Sequence, residues 1–412
     1  MNILLVNHYA GSIDMGMAFR PYYLAREWVR MGHSVTIVAG DFSHLRKINP
    51  DVARDFQEQN IDGILYCWVK TGSYKGNGVA RAMSMFRFVG KLRLNAAKMA
   101  EKYSPDIVIA SSTYPIDTFA CQKIAKLSHA KLIHEVHDMW PATLIEIGGM
   151  SPRHPFVQLM QWGENSFCKN SDAIVSLLPC AKDYFMRHGM NKDKFYHVPN
   201  GVVLSEWTKA EPLPKEHFDL LHTLHDSNKF VIGFFGSHTK SYCLEYLIEA
   251  IRRLGDDSVA VVFVGDGNYK KQLMELSSDL KNICFLPPIN KRSIPTLTKE
   301  FDAIYVGAVE NAMFSFGICM NKLFDAMMSG KPILYAANAP NNYIEDFGCG
   351  ISIMPENVDS LMYGIKSMMR LTRAERLDMG RKGHEAVIKY FNYDVLPLNF
   401  IEIMKNLTEK RE

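Results

Sequence analysis

The sequence predicts an α/β protein of two doubly wound domains, each a mainly parallel sheet covered by helices on both faces. The chain has 412 residues, which is more than one compact core usually holds. Short apolar runs alternate with segments of helical periodicity along most of that length. The alternation stops in a stretch rich in Pro, His and charge that follows Val202, and it restarts at Lys229. We therefore expect two domains.

The first domain opens with a strand, a loop, a helix and a second strand. Ile3 to Asn7 is a short apolar run. Apolar residues then recur at helical spacing from Phe19 to Met31, and the pattern ends at Gly32. Ser34 to Ala39 is the next apolar run, so the order predicts a parallel βαβ unit. Further strands are predicted at Asp106 to Ala110, Lys131 to Val136 and Asp172 to Leu177.

The second domain repeats this pattern. KFVIGFFG, which begins at Lys229, predicts a strand, and the apolar face from Leu244 to Leu254 predicts a helix that stops at Gly255. VAVVFVGDG, ICFL, AIYVG and PILYA predict further strands. We place the domains at residues 1–200 and 201–391, and we expect residues 392–412 to pack back on the first domain as a helix. Two facing sheets would line a shared cleft with the carboxyl ends of their strands, where such sheets bind ligands.

Composition excludes several functional classes. A net charge of +3 is too mild for a nucleic-acid-binding protein. The eight cysteines include no C-x-x-C pair, so neither a zinc cage nor a disulfide framework is indicated. The first apolar run lacks the features of a signal peptide, and no apolar run reaches the roughly 18 residues that cross a bilayer. We expect a cytoplasmic protein.

The strongest motif is FSFGICMNKLFDAMMSGKPIL, at residues 314–334. A loop with Gly317 enters a predicted helix whose polar side holds Asn321, Lys322 and Asp325. Backbone N–H groups at a helix amino terminus suit a diphosphate, and a carboxylate one turn further in can accept both hydroxyls of a ribose. A surface ion pair between Lys322 and Asp325 is the equal alternative.

This segment resembles the family 4 glycosyltransferases of the GT-B fold, most of all bacterial enzymes of O-antigen and capsule assembly of the N-acetylfucosaminyltransferase type. Their run G-I-S-P-N-K-L-F-D-Y-M-A-A-G-K-P stands here as GICMNKLFDAMMSGKP, residues 317–332. EVHDMWP, VPNGV, FFGSHTKSYCLEYLIEA, FVGDGNYKKQL and FLPPINKRSIPTL also occur in the family's order, so the resemblance covers nearly the whole chain. It implies two facing Rossmann-like domains. The wider family's paired glutamates fall on Gly317 and Asp325, so the first acid is absent and the second is shortened.

The resemblance implies a sugar-nucleotide site in the second domain. By resemblance Lys240, in the turn GSHTK, is the cation that neutralises the leaving diphosphate. A solvated loop lysine is the alternative. The predicted donor-binding residues of this domain are Gly236, Ser237, Lys240, Gly265, Gly317, Ile318, Asn321, Lys322 and Asp325.

Gly11 and Gly16 bracket the loop after the first strand, where close approach of backbone to ligand needs absent side chains. The spacing is not G-x-G-x-x-G, and Met17 stands where a P-loop needs lysine. Dinucleotide and ATP sites are therefore disfavoured. In the resembling family this loop lies over the diphosphate and the donor sugar, and a plain strand-to-helix turn is the equal alternative.

HEVHDMWP places polar residues at the end of a predicted strand. Glu135 and His137 share one side of an extended chain, and His134 and Asp138 share the other. There is no H-E-x-x-H, so a metal site is disfavoured. By resemblance His137 and Asp138 border the acceptor and act in catalysis. A buried structural histidine is the alternative.

Residues 79–102 are unusually basic, and Glu101 is the one acid among them. On a single helix the apolar side would carry Met85, Phe88 and Leu92. This composition suits a helix lying on an anionic membrane surface, and it suits equally a helix that packs on the sheet and exposes a solvated basic face. The residues assigned to the membrane or acceptor are Arg81, Arg87, Lys91, Arg93 and Lys98.

Three functional hypotheses follow. The resemblance implies a retaining transfer, without metal or cofactor, from a nucleoside diphosphate sugar to a polyprenyl-diphosphate-linked saccharide at the inner face of the membrane. The expected donor is a UDP-N-acetylhexosamine or a deoxy-aminosugar such as UDP-FucNAc. A UDP-sugar 2-epimerase of the same architecture would need no acceptor. A non-catalytic membrane-binding module would use the basic segment alone, and Asn321, Lys322 and Asp325 argue against it.

Overall fold

The computed structural model describes residues 1–16 and 20–409. Met17 and Phe19, on which two of the predictions rest, lie outside the described residues. The chain forms two compact units. The first unit is Met1–Pro199 together with the segment from Tyr393 onwards, and the second is Asn200–Asn392.

The strands of both units are short and buried for the most part. In chain order they are β1 (Asn2–Val6), β2 (Ser34–Gly40), β3 (Gln57–Ile61), β4 (Ile64–Val69), β5 (Ile107–Ala110), β6 (Lys131–Val136), β7 (Ala173–Ser176), β8 (Phe195–His197), β9 (Phe230–Phe235), β10 (Val259–Val264), β11 (Ile283–Leu286), β12 (Ala303–Gly307), β13 (Ile333–Ala336) and β14 (Gly350–Ile353).

The α-helices connect these strands. They are α1 (Arg20–Arg30), α2 (Val79–Leu94), α3 (Ala96–Tyr103), α4 (Thr118–Ser128), α5 (Ala142–Glu146), α6 (Pro155–Asn170), α7 (Lys182–Arg187), α8 (Leu204–Thr208), α9 (Lys215–Asp226), α10 (Leu244–Leu254), α11 (Lys270–Leu276), α12 (Ile294–Lys299), α13 (Asn321–Met328), α14 (Tyr343–Phe347), α15 (Val358–Arg370), α16 (Arg373–Tyr390) and α17 (Leu396–Glu409).

Both sheets are doubly wound. The first unit has the strand order β3-β4-β2-β1-β5-β6-β7-β8, and the second has β11-β10-β9-β12-β13-β14. Neighbouring strands run parallel except β3 and β4. The strand order reverses between β1 and β5 in the first sheet and between β9 and β12 in the second. Ligands of such sheets bind outside the carboxyl ends of the strands at this reversal. The predicted fold class is confirmed.

Alternate side chains of the central strands of the second sheet enter two separate cores. Phe234 and Phe263 pack in one core, and Phe235 and Val264 pack in the other. All four are almost fully buried. Near-continuous apolar runs are therefore required here, because helices cover both faces of the sheet. The predicted end of α10 is also confirmed, since Gly255 follows it with a φ of 58°.

Strands β8 and β14 were not predicted, and two further features differ from the predictions. An antiparallel hairpin, β3–β4, extends the first sheet, although QEQNI in β3 is largely exposed and shows no apolar alternation. The basic segment is two helices and not one, because α2 ends at Leu94 and α3 starts at Ala96. The side chain of Asn95 donates to the carbonyl of Lys91 at this break, 2.9 Å away.

The chain returns to the first unit in α17. Trp28 of α1 is fully buried, and its Nε1 donates to the carbonyl oxygen of Pro397 over 3.2 Å. Its ring lies edge-on to that of Phe400, with 5.3 Å between the ring centres. None of the helices in the described ranges is both long and apolar enough to span a bilayer.

Candidate active site

Two glycine turns meet where the strand order of the second sheet reverses. Gly236 follows β9 and Gly265 follows β10, with φ values of 122° and 144°. A Cβ atom on Gly265 would lie 2.0 Å from the carbonyl oxygen of Gly236. The amide of Gly236 donates to Val264 over 2.9 Å, and that of His238 donates to Asp266 over 2.8 Å. The two loops therefore touch through backbone atoms, and a Cβ on Gly265 has no space there.

The side chain of Lys322 reaches this same turn. Its Nζ lies 3.5 Å from the centre of the Tyr242 ring and 3.7 Å from that of Phe234. A Cβ atom on Gly236 would lie 3.1 Å from that nitrogen. Burial lowers the pKa of Lys322 to about 7. The alternative of a surface ion pair with Asp325 is therefore wrong, because the amino group points between two aromatic rings.

Asn341, which the sequence analysis missed, fixes the loop in front of α13. Its Oδ1 accepts from the amide of Ile318 over 2.7 Å, and its Nδ2 donates to the carbonyl of Ile318 over 2.8 Å. Ile318 is buried, and Gly317 before it has a φ of 103°. Asn321 then begins α13 and is exposed. The loop and the helix amino terminus are held in one orientation.

Asp325 lies one turn into α13 and is half-buried. Burial raises the pKa of this carboxyl to about 6, with Lys291 opposing the rise and Glu206 adding to it. Lys291 and Glu206 pair with each other, with Nζ 2.8 Å from Oε2. At neutral pH the Asp325 carboxylate is mostly ionised and able to accept hydrogen bonds.

The first unit holds a buried polar network at the carboxyl ends of β5 and β6. Nε of Arg20 lies 2.8 Å from Oε1 of Glu135, and both side chains are almost fully buried. Oγ of Ser111 donates to the other Glu135 oxygen over 2.6 Å, and Nε2 of His137 lies 2.8 Å from that Oγ and 3.1 Å from Oε2 of Glu135. The prediction that Glu135 and His137 share one side is confirmed.

Burial alone would raise the pKa of Glu135. The Arg20 guanidinium, His137 and Ser111 outweigh it and hold that pKa well below its ordinary value. Arg20 also donates to the carbonyls of Val198 and Pro199. The ionised carboxylate of Glu135 therefore fixes the position of the half-buried His137. Neither Arg20 nor Ser111 belongs to a motif that would have identified it.

Two protein-family models match this chain. Glycosyltransferase Family 4 matches residues 16–206, and Glycosyl transferases group 1 matches residues 221–386. Both models describe glycosyltransferases and together they match most of the chain, so the chain belongs to the glycosyltransferases. It is 24% identical over 286 residues to WcaI of Escherichia coli (strain K12), a protein named as a colanic acid biosynthesis glycosyl transferase, and the match covers 66% of this chain and 68% of that protein.

Two solved structures show the same fold. Sucrose-phosphate synthase from Thermosynechococcus elongatus has a TM-score of 0.72 at 14% identity, and the match covers 99% of both chains. HepE from Anabaena, solved with UDP and glucose, has a TM-score of 0.64 at 14% identity, and the match covers 98% of this chain and 99% of HepE. At such identities these likenesses show the fold, which is GT-B.

Lys240 of this glycosyltransferase is exposed, and its Nζ lies 5.5 Å from the centre of the Tyr269 ring. The amino group beside Gly236 is that of Lys322. Ser237 is exposed two residues after β9, and its part in donor binding stays a prediction. The assignment of Lys240 as the catalytic cation stays a prediction.

Asp138 is engaged in the turn that follows β6. Its Oδ1 accepts from the amide of Met139 over 2.8 Å and from Oγ1 of Thr143 over 2.7 Å, and its Oδ2 accepts from Nε1 of Trp140 over 3.1 Å. The carboxylate of Asp138 therefore shapes the turn that carries His137. His134 is buried and stacks on Phe167, with ring centres 3.8 Å apart.

The loop after β1 is held by the first unit itself. The carbonyl of Gly11 accepts from the hydroxyl of Tyr66 over 2.9 Å. Gly16 has a φ of 81°, and a Cβ atom there would lie 2.7 Å from Cβ of Lys47. Gly16 is needed for packing, and the part of both glycines in donor binding stays a prediction.

The basic helix places its apolar side in the core. Met85, Phe88 and Leu92 are 2%, 0% and 0% exposed, which excludes them as a membrane-inserting face. The basic residues are partly engaged by the protein. Lys91 pairs with Asp55 over 2.6 Å, while Arg81 lies over the Tyr9 ring, Arg87 donates to the Thr71 carbonyl and Arg93 donates to that of Phe119.

A second apolar stripe lies on the outer side of α2. Val79, Met83, Phe86 and Leu94 are 79%, 44%, 36% and 84% exposed. Arg93 links this stripe to α4 through Phe119, whose ring lies 4.4 Å from that of the exposed Trp162. Lys98 of α3 is exposed as well. We call these exposed side chains the α2 surface: Val79, Met83, Phe86, Arg93, Leu94, Lys98 and Trp162.

In residues 1–16 and 20–409, no group of three His, Cys, Asp or Glu side chains is placed to hold a metal ion. A reaction without metal or cofactor stays a prediction.

Proposed function

We propose that this glycosyltransferase moves a sugar from a nucleoside diphosphate sugar, UDP in preference to GDP, to a polyprenyl-diphosphate-linked saccharide in surface-polysaccharide assembly. A UDP-N-acetylhexosamine or UDP-FucNAc fits the resemblance of residues 317–332 to the N-acetylfucosaminyl type. UDP occupies the solved structure of HepE, and WcaI is named for colanic acid biosynthesis. The family matches do not favour the epimerase alternative.

The observation that carries the proposal is the cluster at the reversal of the second sheet. The backbone edge at Gly236 and Gly265 lies beside the side chain of Lys322, the second residue of α13, and the dipole of that helix favours an anion such as a diphosphate at its amino terminus. Asp325 lies one turn further along α13. A diphosphate at the helix start would place the ribose next to this carboxylate.

The reaction proceeds with retention. The bond between the anomeric carbon and the leaving phosphate oxygen breaks, and its electron pair stays on that oxygen. The acceptor hydroxyl forms the new bond from the same face, and its proton passes to the departing phosphate oxygen. His137, held by Ser111 and Glu135, orients the acceptor. Neutralising the developing negative charge is the main electrostatic demand of this reaction.

A donor screen tests the activity. UDP- and GDP-sugars are incubated with and without a polyprenyl-diphosphate-linked monosaccharide, in the presence of EDTA, and the free nucleoside diphosphate is measured. We expect UDP release that depends on the acceptor and an α-linked product from an α-linked donor. Isomerised sugar nucleotide without acceptor would identify an epimerase, and absence of any nucleotide release would refute the enzyme.

The acceptor is membrane-bound, and we propose that the α2 surface docks on the anionic inner leaflet. Exposed apolar residues beside Arg93 and Lys98 suit the boundary between acyl chains and headgroups. In this arrangement the apolar outer stripe enters the bilayer and the basic residues meet the headgroups.

Sedimentation with vesicles of phosphatidylcholine and phosphatidylglycerol tests this docking. The triple variant Met83→Ser, Phe86→Ser and Leu94→Ser should bind at least about tenfold more weakly, because each lost apolar side chain removes roughly 1 kcal/mol. The control carries Met354→Ser and Leu377→Ser, which are 66% and 57% exposed in the second unit. Equal binding of both variants would contradict the assignment.

A further inference from the structure

Lys322 is an amine whose surroundings do not compensate its charge. Its Nζ is covered and has no hydrogen-bond partner among the described residues. The rings of Phe234 and Tyr242 offer cation–π contacts, which are weaker than a carboxylate. A protonated amine left in this place would bear a large desolvation cost.

The helix that carries Lys322 makes the imbalance larger. Lys322 is the second residue of α13, and the first turn contains no acidic residue. The amino-terminal end of a helix carries partial positive charge and disfavours a cation. A protonated lysine at this position therefore destabilises the folded protein unless an anion binds beside it. Its Nζ packs directly against the backbone of Gly236, at the carboxyl end of β9, where ligands of such sheets bind.

We propose that Lys322 is the cation that binds the donor diphosphate and neutralises its charge as the sugar leaves. This inference rests on the proposed function and deepens it. The amino group turns out from between the two rings to reach the diphosphate beside Gly236. As the anomeric carbon–oxygen bond breaks, the ammonium stays protonated and stabilises the electron pair left on the phosphate oxygen.

Binding of the donor is then coupled to uptake of one proton. Without an anion beside it, burial holds the pKa of Lys322 at about 7, so at pH 8 the amine is mostly neutral. A diphosphate favours the protonated form and raises that pKa. At pH 8 a nucleoside diphosphate has no proton left to give, since its second pKa is about 6. The expected uptake is about 0.9 proton from solvent.

The other charged groups around Lys322 do not produce this signal. Burial, Lys270 and Lys322 hold the pKa of His238 at about 4, although Asp266 opposes them, so this ring stays neutral at pH 8. Burial raises the pKa of Tyr242 above 10, so that hydroxyl stays protonated. Lys240 lies over Tyr269, outside the two rings that hold Lys322.

Calorimetric titration with UDP and with GDP at pH 8, in Tris and in Hepes, measures the proton uptake. The wild type and Lys240→Met should take up close to one proton. Lys322→Arg should bind with no uptake, because arginine stays protonated in both states. Lys322→Met should bind at least about tenfold more weakly and lose turnover more than donor affinity.

The outcomes separate this inference from the proposed function. Binding by the wild type without proton uptake, or unchanged uptake in Lys322→Arg, would overturn the role of Lys322. Loss of affinity and turnover in Lys240→Met with normal values in Lys322→Met would assign the role to Lys240. If the wild type binds neither nucleotide, the proposed function fails as well. Circular dichroism and melting temperature check that each variant is folded. If Lys322→Met does not fold, proton uptake by Lys322→Arg tests the inference.

Discussion

The contact between the two glycine turns predicts that Gly265→Ala disrupts the proposed nucleotide site. The new Cβ would lie 2.0 Å from the carbonyl oxygen of Gly236, where an ordinary contact needs at least 3.4 Å. The loops must therefore separate by about 1.4 Å, the difference between the two distances. A side chain at a φ of 144° adds strain of about 1–3 kcal/mol.

The separation also breaks backbone pairing. The Gly236 amide bonds Val264 over 2.9 Å, and losing a buried bond of this kind costs about 1–3 kcal/mol. Together the two effects lower the free energy of unfolding of the second unit by about 2–6 kcal/mol. For a unit of this size that lowers the melting temperature by roughly 10 °C. UDP affinity should fall at least about tenfold because the edge beside Lys322 moves.

Gly255→Ala is the matched control. Gly255 also has a positive φ, 58°, but a Cβ there meets nothing within 4 Å. We expect about 1–2 kcal/mol of strain and no change in UDP affinity. Differential scanning fluorimetry and calorimetry measure both quantities. A Gly265→Ala protein that melts and binds UDP like Gly255→Ala would show that the two turns separate at little cost and do not shape the site.

Three further substitutions test the other assignments. Glu135→Gln leaves Arg20 buried without its carboxylate and should lower the free energy of unfolding by about 3 kcal/mol at pH 7. Because the folded protein lowers the pKa of Glu135, melting curves should show this difference shrinking as pH falls below about 4. Asp325→Asn should raise the melting temperature at pH 7.5, because the pKa of Asp325 is raised to about 6 and the ionised carboxylate destabilises the folded protein above pH 6. This gain should be absent at pH 4. UDP affinity measured by calorimetry should fall about tenfold. Gly380→Ala puts a Cβ 1.8 Å from the carbonyl of Gly330, so urea should unfold it at a clearly lower concentration while UDP affinity holds. Unchanged values in any of these measurements would contradict the corresponding contact.

The sequence predicted the elements whose formation depends mainly on the burial of apolar side chains. Strands such as KLIHEV and ICFL are buried on both faces, and their apolar runs predicted β6 and β11. Hairpin strand β3 was missed because an exposed edge strand needs no apolar pattern, and QEQNI has none. The doubly wound parallel sheets followed from the repeated βαβ pattern, since a helical crossover returns the chain to a parallel strand.

The site was harder to predict because it depends on where each side chain points in the folded protein. The motif identified Lys322, but periodicity put its side chain on the polar side of the helix, whereas contacts with Phe234 and Tyr242 turn it inwards. The network of Arg20, Ser111 and Glu135 joins residues from distant segments, and no local spacing signals it.

The return of α17 to α1 has a consequence for synthesis. Trp28 is translated early, yet its partners Pro397 and Phe400 leave the ribosome more than three hundred residues later. Until then the first unit exposes the patch that α17 covers, while the second unit already has its whole sequence. The order of translation therefore leaves the first unit without its last helix, and Trp28 without these two partners, after the whole sequence of the second unit has been made.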